Sequence, residues 1–167
     1  MAMNASDMAN HIISAMGNNI DDPGEANSSF YSALCDYIED KAEVIYMWTA
    51  VDPTGSPDPT QKVTCKIKTS GSLSPSGATD CGSALAAFAG ALNSNASTWL
   101  CEWPAGFAIS PTLIIPSIVF TASKATERGP AITHICQEII NGLIAATLNP
   151  GGTHGSYTGT ATFIKIQ

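Results

Sequence analysis

Hydrophobic spacing in this chain switches repeatedly between a helical period and strict alternation, and clusters of proline and glycine mark the switch points. Such a pattern restricts the chain to helices and strands combined in one layered unit. Ser6 to Met16 sets Met8, Ile12, Ile13 and Met16 on one helical face, with Gly17 and Asn18 as a stop. A second helix is predicted from about Ser28 to Ala50, where Phe30, Leu34, Ile38, Ile45 and Trp48 keep helical spacing and Asn27 or Ser28 can cap the start. The proline-rich run from Asp52 to Pro59 ends it. Gln61 to Lys68 then alternates, with Val63, Cys65 and Ile67 on one side and Lys62, Thr64, Lys66 and Lys68 on the other. That is a half-buried strand with a basic outer face.

A small-residue helix is expected from Asp80 to about Asn93, with Leu85, Phe88, Ala89 and Leu92 inward, and a short strand near Trp99 to Trp103. Phe107 to Ala122 reads as extended chain, in which Pro111 and Pro116 forbid a regular central strand. Pro130 to Leu148 is a further helix, with Ile132, Ile135, Cys136, Ile139, Leu143 and Ile144 inward, stopped by Asn149-Pro150-Gly151-Gly152. Tyr157 to Ile166 reads as a final strand, expected to leave an edge free for a neighbouring chain. The predicted fold is α+β, with about three main helices on one face of a small mixed sheet. One domain is expected over 1–167, an acidic helical part (1–58) joined to a strand and helix part (59–167).

The pattern Ser76-Gly77-Ala78-Thr79-Asp80-Cys81-Gly82-Ser83-Ala84-Leu85 recurs as Ser123-Lys124-Ala125-Thr126-Glu127-Arg128-Gly129-Pro130-Ala131-Ile132. Both copies carry helix-start chemistry: Thr79 and Thr126 can cap, and Asp80 and Glu127 meet the positive end of the helix dipole. The match suggests a duplicated strand–loop–helix unit over 61–103 and 108–166.

Composition removes several classes of function. With 44% hydrophobic residues the chain is not intrinsically disordered, and a net charge of −7 argues against nucleic-acid binding through phosphates. The longest apolar stretch, Leu113 to Phe120, is interrupted by Pro116 and Ser117 and is far short of a membrane span. The start of the chain lacks the basic region and unbroken apolar core of a secretory signal, so synthesis in the cytoplasm is expected. Cys35, Cys65, Cys81, Cys101 and Cys136 are odd in number and widely spaced, which suits buried reduced thiols better than disulfides or a zinc knuckle.

Candidate catalytic groups are few. His11, His134 and His154 have no partner at metal-binding spacing, and only His134 and Glu138, four apart on one helix, share a face. A hydrolase would need these two to meet a third group in a cleft. Cys136 lies two residues from His134, a spacing that points the side chains apart on a helix. The glycines of Gly151-Gly152-Thr153-His154-Gly155 follow a helix, the wrong end for binding phosphate. Asp36, Glu39, Asp40 and Glu43, and the loop Asp21-Asp22-Pro23-Gly24-Glu25, read as solvated acids rather than a calcium site. No catalytic, cofactor-binding or metal-binding residue is assigned. A small-ligand or peptide-binding domain would instead need an apolar pocket, with Trp99, Trp103 and Phe107 as its candidate walls.

Charge is distributed unevenly. Through Asp58 there are ten acids and one base, and from Pro59 onward four acids and six bases. An acidic helical patch on one copy could therefore face Lys62, Lys66 and Lys68 on the next. Helices rich in Ala, Ser, Thr and Gly, the long loop from Asp52 to Thr60 and the Gly/Thr-rich run from Gly152 to Gln167 together resemble virion structural proteins of tailed bacteriophages, of neck, tail-terminator or baseplate type. The resemblance implies a non-enzymatic subunit assembled in the host cytoplasm. It would oligomerise, as a ring in such families, and contact other virion proteins; capsid decoration is the alternative within that class.

Overall fold

The computed structural model describes residues 3–17, 23–73, 81–121, 127–144 and 149–167. Helix α1 (Ala5–Met16) begins where the Asn4 side chain accepts hydrogen bonds from the Ser6 and Asp7 amides at 2.8 and 3.2 Å, and ends at Gly17, whose φ of 58° few other residues adopt. It buries Met8, Ala9 and Ile12. Helix α2 (Pro23–Lys41) is followed by strand β1 (Glu43–Val51) and, after the proline-rich loop, strand β2 (Lys62–Lys68). Helix α3 (Cys81–Ala96) leads to β3 (Leu100–Glu102) and β4 (Phe107–Ile109). Helix α4 (Arg128–Ile144) precedes the hairpin of β5 (Gly151–His154) and β6 (Tyr157–Ile166).

The fold is α+β; among the described residues there are four helices and one six-stranded sheet in the order β3-β2-β1-β6-β5-β4. Every pairing is antiparallel, so the expected mixed sheet is corrected. Helix α3 joins β2 to its antiparallel neighbour β3, and α4 joins β4 to its antiparallel neighbour β5. Neither is the crossover that a parallel pair requires.

The second predicted helix is wrong beyond Lys41. Ile45 and Trp48 fit helical spacing, yet Val44, Tyr46, Trp48 and Ala50 also alternate, and this run of β-branched and aromatic residues is hydrogen-bonded by β2 on one side and β6 on the other. Two flanking strands outweigh a periodicity that fits either state. The last strand is also not an edge: β6 lies between β1 and β5, and β3 and β4 form the margins. Of the repeated pattern, residues 76–80 and 123–126 lie outside the described residues, as do 145–148 at the end of the last predicted helix. Strand β2 precedes the first copy, whereas Leu113–Thr121 before the second forms no strand.

The inner face of the sheet carries Val44, Tyr46, Trp48, Ala50, Val63, Cys65, Ile67 and Cys101, which join Ile12, Leu34, Ile38, Leu92 and Leu143 from the helices in one core cluster. Toward β4 and β5 the same face folds over on itself. The row Ala50–Gly159–Gly152 crosses β1, β6 and β5 with almost no side chain. A Cβ on Gly159 would stand 2.5 Å from Ala50 Cα and would collide with the Thr49 carbonyl; one on Gly152 would stand 2.5 Å from the Ala108 carbonyl oxygen. Glycine here permits the close backbone approach that curls the sheet. Past β4, the Pro111 carbonyl accepts from the Cys101 amide at 2.6 Å and Thr112 bridges Leu100, so the margin at β3 is covered.

Candidate functional site

The most constrained polar group in the described structure is Asp58, at the end of the sheet where the curl closes. Its loop begins with a turn in which Asp52 Oδ1 accepts from the Thr54 and Ser56 amides, both at 2.9 Å. The Asp58 amide then donates to the Ala50 carbonyl, which turns the carboxylate back over the sheet. Asp58 Oδ2 accepts from Trp48 Nε1 at 2.8 Å and His154 Nδ1 at 2.7 Å, and Oδ1 accepts from the Thr60 amide at 2.8 Å. The carboxylate is 1% exposed. Burial alone would raise its pKa, but the bonds from His154, Thr60 and Trp48, with the imidazole's charge, hold it down at about 2.

His154 is the last residue of β5, and the turn to β6 follows it at Gly155, with φ 58°. Its ring stacks on Phe107 at 4.1 Å and 5°, and Phe107 in turn packs on Trp48 and Trp103. A carboxylate only accepts, so Nδ1 carries a proton and, on the neutral ring, Nε2 keeps its lone pair. Nε2 has no hydrogen-bond partner among the described residues. The pair therefore ties loop 52–61, β1 and β5 together, and its only remaining chemical capacity is a lone pair at the rim with no nucleophile bonded to it. Sequence reasoning missed this pairing because Asp58 and His154 are 96 residues apart.

His134 and Glu138 do meet, at 3.8 Å, and Thr121 joins them. His134 Nε2 lies 3.1 Å from the Thr121 carbonyl oxygen and 3.1 Å from its hydroxyl, which itself donates to Glu138 at 3.2 Å. A carbonyl cannot donate, so Nε2 is the donor and cannot take the hydroxyl's proton. The trio has the membership of a catalytic triad and the wrong proton. Alongside it, Ser6, Asn10, Ile13, Thr133 and Gln137 line a shallow cleft of about 680 Å³ between α1 and α4.

The other candidates separate. His11 is exposed on α1 and packs against Tyr37 at 5.9 Å. Cys65, Cys101 and Cys136 are buried and free, and burial pushes the Cys136 thiol up to about 12. Cys101 Sγ meets the Tyr46 hydroxyl at 3.6 Å, and Cys81 lies among residues whose surroundings are not described. Glu39 accepts from the Thr69 amide and hydroxyl at 2.9 and 2.6 Å, while Asp36 and Asp40 face solvent. Among the described residues no three His, Cys, Asp or Glu side chains gather around a common point. Trp99 is fully buried and donates to the Ser70 carbonyl, whereas Trp103 and Phe107 pack with Tyr46 and Trp48, so the three do not wall one pocket.

What remains is the outer face of the sheet. Residues that alternate with the core positions place Met47, Thr49, Val51, Lys62, Thr64, Lys68, Leu100, Thr158, Thr160, Thr162 and Lys165 outward. Met47, Val51 and Leu100 are 53%, 49% and 40% exposed. Ile164, the extra residue where the β1–β6 register shifts, is 47% exposed. The basic outer side of β2 is as the alternation predicts, but Lys66 is engaged within the chain, 3.7 Å from Glu43 and 3.1 Å from the Asp40 carbonyl. No protein-family model, curated protein or solved structure matches the chain.

Proposed function

We propose that the chain is a non-enzymatic structural subunit that associates with copies of itself and then with other components of a larger particle. The neck, tail or baseplate of a tailed bacteriophage is the setting its sequence resembles. One observation carries the reading: the outer face of the six-stranded sheet presents Met47, Val51, Leu100 and Ile164 among threonines. Exposed apolar side chains spread over one sheet face favour burial against another protein. The two histidine clusters support the same reading. In one the imidazole nitrogen is already a donor, and in the other no nucleophile among the described residues is bonded to the free nitrogen. Absolute mass by light scattering, over a concentration series, tests the proposal. A discrete mass several times 17.3 kDa is expected; a monomer at every concentration overturns it.

A further inference from the structure

The contact between copies can be specified further from charge, resting on the self-association proposed above. Four of the seven basic residues, Lys62, Lys66, Lys68 and Lys165, lie on the outer sheet face, with two of the fourteen acids, Glu43 and Glu102. The face is thus +2, while three bases and twelve acids elsewhere make the rest of the chain −9. Glu43 is engaged by Lys66, and Glu102 stands opposite Lys66 in the β2–β3 register. Lys62, Lys68 and Lys165 are exposed and form no ion pair among the described residues.

Two such faces brought together about a two-fold axis would oppose lysine to lysine around Met47, and like charges at a contact are unfavourable. Charge complementarity instead selects the acidic helical side of a second copy. On that side Asp7, Asp36 and Asp40 are exposed on α1 and α2, which pack on the inner side of the sheet; Asp40 is paired with Lys41 at 2.6 Å, which leaves Asp7 and Asp36 without an ion pair among the described residues. We infer that the chain assembles head to tail, the outer sheet face of one copy resting on the acidic α1–α2 surface of the next. A contact between two different surfaces does not close at two copies; it propagates into a ring or a filament.

Two charge-reversed variants test this: Lys62→Glu with Lys68→Glu and Lys165→Glu, and Asp36→Lys with Asp40→Lys. All five side chains are exposed, and the circular dichroism of each variant is to be compared with that of the wild type as the check on folding. Each alone is expected to be monomeric by light scattering, and an equimolar mixture to recover a mass above the monomer. A helical variant that assembles like the wild type overturns the inference, and so does a sheet variant that does, or a mixture that stays monomeric. Should a reversed variant fail to fold, the neutral triple variant Lys62→Gln, Lys68→Gln and Lys165→Gln replaces it, with self-association expected to weaken about tenfold at low salt. Unchanged association there overturns the inference. A wild type that is monomeric throughout instead removes the self-association on which it rests.

Discussion

Replacing Gly159 by alanine tests the curl of the sheet, on which the placement of every outward residue depends. The added methyl would sit 2.5 Å from Ala50 Cα and against the Thr49 carbonyl, both backbone atoms that no rotamer change can move. Overpacking a fixed environment costs about 1–3 kcal/mol, and the upper end applies where backbone must shift. Alanine recovers roughly 0.5–1 kcal/mol of chain entropy relative to glycine in a strand, leaving a net loss of about 2 kcal/mol. With a urea dependence on the order of 2 kcal/mol per molar for a small protein, the unfolding midpoint falls by about 1 M. Gly151→Ala is the control: it pairs with β6 from the other side, opposite Thr160, and its Cβ would meet only the Gly159 carbonyl oxygen, at 3.5 Å. That midpoint should hold or rise by a few tenths molar, roughly the entropy gain alone. Coincident midpoints for the two variants would refute the fold-over at this row.

Other expectations follow from the core and the buried pair. Leu34→Ala removes a fully buried side chain and should cost roughly 2–5 kcal/mol in urea unfolding, whereas Ser32→Ala on the exposed side of α2 should change little. The folded Asp58 pKa of about 2 lies below the ordinary carboxylate value near about 4, so its contribution to stability is present above about pH 4 and lost as the pH falls toward 2. The difference in urea midpoint between the wild type and Asp58→Asn should therefore narrow as the pH drops from about 4 to 2, and a constant difference would contradict the pairing. Cys65, Cys101 and Cys136 should resist a thiol reagent until the protein unfolds, while half-buried Cys35 reacts earlier; simultaneous labelling of all four in the native protein would contradict their burial.

The sequence made some elements legible and hid others for definite reasons. Helix α1, strand β2 and strand β6 were readable because one period fits each segment and capping or turn residues bound it. Strand β1 was hidden inside a long helical pattern. Ile38, Ile45 and Trp48 satisfy helical spacing across the Lys41–Ala42 break, and only the partners on either side decide the outcome. Pairing order is likewise a long-range property: nothing local in Tyr157–Ile166 tells a central strand from an edge. The site fared similarly. The meeting of His134 and Glu138 was readable from their spacing, but Thr121 and its carbonyl, which fix the proton, come from a loop thirteen residues away. The Asp58–His154 bond joins a proline-rich loop to a glycine-rich hairpin, and composition carries no trace of it.

The most direct test of the account is the rate at which Met47 is oxidised by dilute peroxide at low and at high protein concentration, read by mass spectrometry of peptides. Met47 is 53% exposed on the outer sheet face, and fully buried Met8 serves as an internal reference for unfolding. The account predicts that Met47 reacts fast in dilute solution and becomes protected as the concentration rises, with Met8 slow throughout. Equal Met47 rates at both concentrations, in a sample whose mass shows assembly, would contradict the sheet face as the contact.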